Sequence, residues 1–121
     1  MYVAEFKSNE DVAKEYSNYQ DKEDYEHILK TLNESTVYIA WYGAGDYCGQ
    51  SFVLFEHGGV LYEVNASHCS CYGLEGQWAP EETDWRALAM RDHFHEEYDE
   101  NQTVNEYLRK LCERQLGTSL Q

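Results

Sequence analysis

Basic residues are scarce in this chain, with nine lysines and arginines against 23 acidic residues, and long apolar runs are missing altogether. Each shortage excludes something. No stretch approaches the roughly 18 consecutive apolar residues that a membrane-spanning helix needs. The opening MYVAEFKSNEDVAKE also lacks the basic and apolar segments of a secretory signal. The expectation is therefore a cytoplasmic protein that meets no membrane. Cysteine is too sparse, at Cys48, Cys69, Cys71 and Cys112, to staple a chain of 121 residues into a disulfide scaffold. Between Lys30 and Arg86 there is no lysine or arginine at all, while Glu34, Asp46, Glu56, Glu63, Glu75, Glu81, Glu82 and Asp84 fall inside. With a formal charge of −14, such a surface repels phosphate backbones, which argues against direct contact with nucleic acid.

Enough remains to build a core. An apolar content of 42%, including 15% aromatics, suits one folded domain over residues 1–121. The 11 tyrosines suit half-buried surfaces as well as cores, because each ring is apolar and its tip polar.

The periodicity changes twice along the chain. Residues 9–33 are expected to be helical. Ser8 with Asp11 can cap a segment carrying Val12, Ala13 and Tyr16, and Asp21 can cap a second in which Tyr25, Ile28, Leu29 and Leu32 form one stripe. NYQDKEDYE between the two stripes is read as a break, although one long helix or a solvated linker would also accommodate it. Residues 36–66 read as three strands, TVYIAWYG, SFVLFE and VLYEVN. Val37, Ile39 and Trp41 point to one side, and the other side is expected to stay partly wet. His57-Gly58-Gly59 makes the second and third strands a hairpin, and the glycine-rich GAGDYCGQ closes the first pair. Residues 67–79 form a Cys/Gly crossover. Pro80 with Glu81 and Glu82 then looks like the first turn of a helix over 80–98, and a Thr103/Glu106 capping box with Gly117 as stop predicts a last helix over 104–116. The expected fold is α+β: a three-stranded antiparallel meander covered on one face by the C-terminal helices, with the N-terminal helical segments beside it.

Two groups of residues could carry chemistry. His68, Cys69 and Cys71, with Cys48 at a neighbouring strand end, are the right types to hold zinc. The spacing is a single C-x-C instead of two C-x2-C knuckles, so buried thiols and a hydrogen-bonded corner histidine explain the same residues. A nucleophilic cysteine would need an electropositive setting, and this region is acidic. The second group is acidic: Glu96, Glu97, Asp99 and Glu100, together with Asp21, Glu23 and Asp24, could meet a lysine- and arginine-rich groove.

The segment SHCSCYGLEGQW and the PEET that follows it resemble small acidic proteins encoded by phages and prophages, whose function is unassigned; the likeness extends over about residues 36–91. The resemblance implies a phage or mobile-element setting, in which small acidic proteins often inhibit host enzymes, and it transfers no catalytic residue. The expected function is binding: an accessory or inhibitor protein in the host cytoplasm that occupies a basic surface of a host protein, by nucleic-acid mimicry in one version. The alternative is a small zinc-binding or thiol-dependent protein centred on the His-Cys-x-Cys cluster, and an enzyme is the less expected outcome.

Overall fold

The computed structural model describes residues 1–18, 21–44, 49–68, 73–91 and 99–117, and within them the side chains of all but residues 44, 68 and 99–103. Along the chain lie β1 (Tyr2–Ala4), α1 (Asn9–Tyr16), α2 (Lys22–Asn33), β2 (Thr36–Ala44), β3 (Gly49–His57), β4 (Val60–His68), β5 (Glu81–Glu82), α3 (Trp85–Ala89) and α4 (Asp99–Leu116). The fold is α+β, and its sheet is larger and more mixed than the expected meander. Five strands lie side by side in chain order, with β1 parallel to β2 and the remaining pairs antiparallel.

The N-terminal half follows its local chemistry. The Ser8 hydroxyl accepts the Asp11 N–H, and the Asp21 carboxylate accepts the Asp24 N–H, so both helices start at the expected caps. Between them Ser17 turns to extended backbone, and the break is real. The Gly58–Gly59 turn has φ of +60° and +81°, the left-handed pair of a two-residue hairpin, and it seats His57 opposite Val60.

Where the expected strands go wrong, the cause is a bulge. Val37 pairs with Phe55 but Ile39 already pairs with Leu54, so Tyr38 is the extra residue. Val37 consequently joins Ala40 and Tyr42 on one face, while Ile39 and Trp41 occupy the other. Neither face is wet. Under one, Val53, Phe55 and Val64 pack with Phe6 and with Val12, Tyr16, Ile28 and Leu32 of α1 and α2. Over the other, Phe52, Leu54 and Leu61 pack with Leu88 of α3 and Val104, Leu108, Leu111 and Cys112 of α4. The N-terminal helices are therefore a full layer, and the uninterrupted SFVLF is the mark of a strand buried on both sides.

The expected helix over 80–98 is corrected at its start. Glu81 and Glu82 pair with Glu63 and Tyr62 as the edge strand β5, and the Thr83 N–H extends that pairing to the Leu61 carbonyl at 2.9 Å. The helix begins only after Asp84, whose carboxylate accepts the Ala87 N–H at 2.7 Å. A proline beside an edge strand leaves no ladder donor unmet, which makes that place as suitable for Pro80 as a helix start. Residues 92–98 lie outside the described residues. The last helix starts at Asp99, so Thr103 and Glu106 lie within it and do not form its cap; it ends as expected at Gly117, with φ of +68°.

Candidate functional site

Of the proposed zinc ligands, Cys48, Cys69 and Cys71 lie outside the described residues, and His68 closes β4 directly opposite Gly49, the first residue of β3. Among the described residues no group of three or more histidines, cysteines or carboxylates could hold a metal ion. Cys112 is fully buried in the α4 core, and its burial raises the thiol pKa, which suits an inert packing residue.

The proposed acidic set is divided. Glu96 and Glu97 lie outside the described residues, and Asp99 and Glu100 open α4. Asp21 and Asp24 have local duties: the first caps α2, and the second accepts the Asn18 N–H at 2.8 Å. Glu23 is exposed beside them. α2 and α4 cover opposite faces of the sheet.

A different group of carboxylates converges. Ala4, at φ of +61°, turns the chain out of β1, and the Glu5 N–H then donates to the Tyr42 carbonyl at 3.2 Å. Glu15 comes from the exposed side of α1. Glu75 comes from the crossover, which docks on α1 through the Gly76 N–H and the Tyr16 carbonyl at 3.1 Å; Gly76 needs its φ of +78° for this turn. Trp78 anchors the return by stacking on Phe55 at 5.7 Å and meeting Tyr16 edge-on at 5.2 Å. Tyr42 sits where these segments meet, and its hydroxyl is pushed up to about 12 by burial first and then by Glu15, Glu5 and Glu75. The three acids are far apart in sequence. Only the parallel β1–β2 register and the crossover contact unite them, so no pattern in the sequence could have marked the group.

Two polar arrangements, one buried and one half-buried, hold the frame on the two faces of the sheet. The Tyr16 hydroxyl donates to Ser51 Oγ at 2.6 Å, and that hydroxyl donates to the Trp41 carbonyl at 2.9 Å, tying α1 to β3 and β2. On the other face Arg91, just past α3, grips Glu63 of β4 with both guanidinium nitrogens, at 2.6 and 3.0 Å. Burial of Glu63 disfavours its charge, yet hydrogen bonds from Arg91, Thr83 and Asn65 outweigh that cost and hold the carboxyl below its usual range.

The outer edge of β4 is finished by a side chain. The Gln77 amide nitrogen donates to the Ser67 and Gly73 carbonyls at 2.7 and 2.8 Å, and its oxygen accepts the Ser67 N–H at 3.2 Å. No described helix is long and apolar enough to cross a membrane. No family model matches the chain, and no curated protein or solved structure is similar to it.

Proposed function

We propose that the chain works by binding, presenting carboxylates to a basic surface of a protein partner. The observation that carries this reading is that three separate segments, held by the Glu5 N–H on the Tyr42 carbonyl and the Gly76 N–H on the Tyr16 carbonyl, bring the exposed Glu5, Glu15 and Glu75 into the neighbourhood of Tyr42, whose hydroxyl feels all three charges. Carboxylates gathered this way on a chain of net charge −14 make a field that attracts lysine and arginine and steers their approach. Tyr42 adds a largely buried aromatic beneath the charges. The resemblance to phage-encoded acidic proteins makes the partner a host protein, with an enzyme that handles nucleic acid as the finer form of the proposal. The test is a pull-down from bacterial lysate with partners identified by mass spectrometry, using wild type, a Glu5/Glu15/Glu75→Gln triple variant and a Glu81/Glu82→Gln control. One basic protein should be captured by wild type and control, be lost by the triple variant, and dissociate as salt approaches about 1 M, where charges are screened within about 3 Å. Retention of the same protein by the triple variant at high salt would remove the proposal.

One pairing favours a second reading. Gly49 and His68 face each other across β3 and β4, and their next neighbours in the chain are Cys48 and Cys69. A zinc or thiol site at this end of the hairpin would use those two cysteines with His68 and Cys71. Purified protein would then hold about one equivalent of zinc, and a chelator would lower its melting temperature by several degrees. Metal-free protein indifferent to chelator leaves these cysteines as packing residues.

A further inference from the structure

Residues 81–91 run along the outside of the molecule with few apolar anchors. β5 is two residues long and both of its glutamates are exposed. In α3 only Leu88 is fully buried, and Met90 at its end is 81% exposed. Trp85 is half-buried, edge-on to Tyr38 at 5.0 Å. Both ends of the segment meet on one side chain. The Glu63 carboxylate accepts the Thr83 hydroxyl near the start and both guanidinium nitrogens of Arg91 at the finish, so it closes a loop around α3. Glu63 is 5% exposed and belongs to β4, an interior strand, so whatever it holds is held to the sheet.

We infer that β5 and α3 form a strap buttoned to the sheet by Glu63, which lifts as a unit ahead of the rest of the fold, and that neutralising the carboxylate or removing Arg91 makes it lift more often. Segments with few buried apolar contacts are the first to open, and a charge-assisted hydrogen bond is a strong single fastening. Once lifted, α3 does not persist, because its five residues are far fewer than the roughly 12 an isolated helix needs. α4 keeps contacts of its own with β1 and β2. Other groups near the button do not replace it. Glu81, the register partner of Glu63 on β5, attracts the same guanidinium, but it lies on the strap, so an Arg91–Glu81 pair fastens nothing to β4. Asn65 donates to Glu63 from β4 itself, and Leu54, its partner on β3, carries no charge. Because the carboxyl is held below its usual range, its contribution to closure is complete above the ordinary glutamate value and is lost as pH falls through the lowered one.

The test is amide hydrogen exchange of the full 15N-labelled chain in low concentrations of urea, with each rate corrected for its intrinsic chemistry. The Thr83, Leu88 and Met90 amides, which donate to the Leu61, Asp84 and Arg86 carbonyls, should open together with a weak urea dependence. Amides in the middle of α1 and α2 should be better protected and show the steep dependence of whole-molecule unfolding, because urea sensitivity scales with the surface exposed. Glu63→Gln and, separately, Arg91→Met should raise strap opening about tenfold at pH 7, the effect of losing one charge-assisted contact. In wild type, opening should also rise up to about threefold at pH 4, where a released glutamate with a pKa of about 4.3 is about two-thirds protonated. Glu63→Gln should abolish that rise. Strap amides that share the protection and urea dependence of α1 and α2 would overturn the inference. So would strap opening left unchanged by both substitutions, or a rise at pH 4 that persists in Glu63→Gln.

Discussion

Single residues set sharp conditions on this fold. Gly43 is required by its neighbour, because a Cβ there would lie 2.6 Å from the buried Trp41 ring. Gly43→Ala should cost about 1–3 kcal/mol in urea unfolding, the usual penalty of overpacking. Tyr16 makes a prediction about pH. Its hydroxyl is buried and its pKa is raised by that burial, so the stability of the neutral form is fully present below the unfolded value, about 10, and is lost as pH rises through the folded one. Tyr16→Phe should lower stability at neutral pH by about 1 kcal/mol and make the alkaline loss measured by circular dichroism shallower. Glu63 has the opposite sign: its lowered pKa contributes stability that is complete above the unfolded carboxyl value and disappears as pH falls through the folded one. Arg91 is partly solvated, so its removal should cost about 1–3 kcal/mol, less than for a wholly buried pair. Arg91→Met paired with Glu63→Gln should recover much of that loss in a double-mutant cycle at pH 7. None of these roles was legible in the sequence. Glu63 reads as one more acid on an acidic chain, and the partners supplied by Arg91, Thr83 and Asn65 make its burial tolerable.

Whole elements were more readable, because they depend on neighbours along the chain. The Ser8 and Asp21 caps, the Tyr25/Ile28/Leu29/Leu32 stripe and the Gly58–Gly59 hairpin all rest on local chemistry, and all appear where that chemistry puts them. Non-local events defeated the reading. The three residues Tyr2–Ala4 are too short a run to read as a strand and become β1 by pairing with β2, and the bulge at Tyr38 moves Val37 to the opposite face. Pro80-Glu81-Glu82 satisfies a helix start and an edge strand equally well, and the free edge of β4 decides between them. The candidate site fared likewise: its acids were countable in the sequence, but their meeting at Tyr42 was not. The hairpin offers a direct check. Gly58 and Gly59 are exposed, and an added Cβ would meet nothing within 4 Å, so only backbone strain resists substitution. Gly58→Asn should be nearly neutral in thermal unfolding, since asparagine adopts positive φ readily, while Gly59→Val should cost at least about 1 kcal/mol.

At the scale of the molecule, a sheet clothed on both faces carries a large uncompensated charge. With −14 spread over 121 residues, folding brings carboxylates closer together than they are in the unfolded chain. The midpoint of thermal unfolding should therefore rise with added sodium chloride over the range in which the screening length shrinks from about 10 to 3 Å, as calorimetry would report. A midpoint unmoved by salt would mean that pairs such as Glu63–Arg91 already balance the repulsion. The finish of β4 bears on how such molecules meet one another. β5 covers part of its outer edge with two exposed glutamates, and the Gln77 amide takes both backbone groups of Ser67, occupying the place of one more residue of strand. An incoming strand from another copy would find no continuous ladder there and would face like charge on approach. Crowding many copies together, as at high expression, should thus leave them dispersed, with a single amide side chain closing a route to intermolecular sheet.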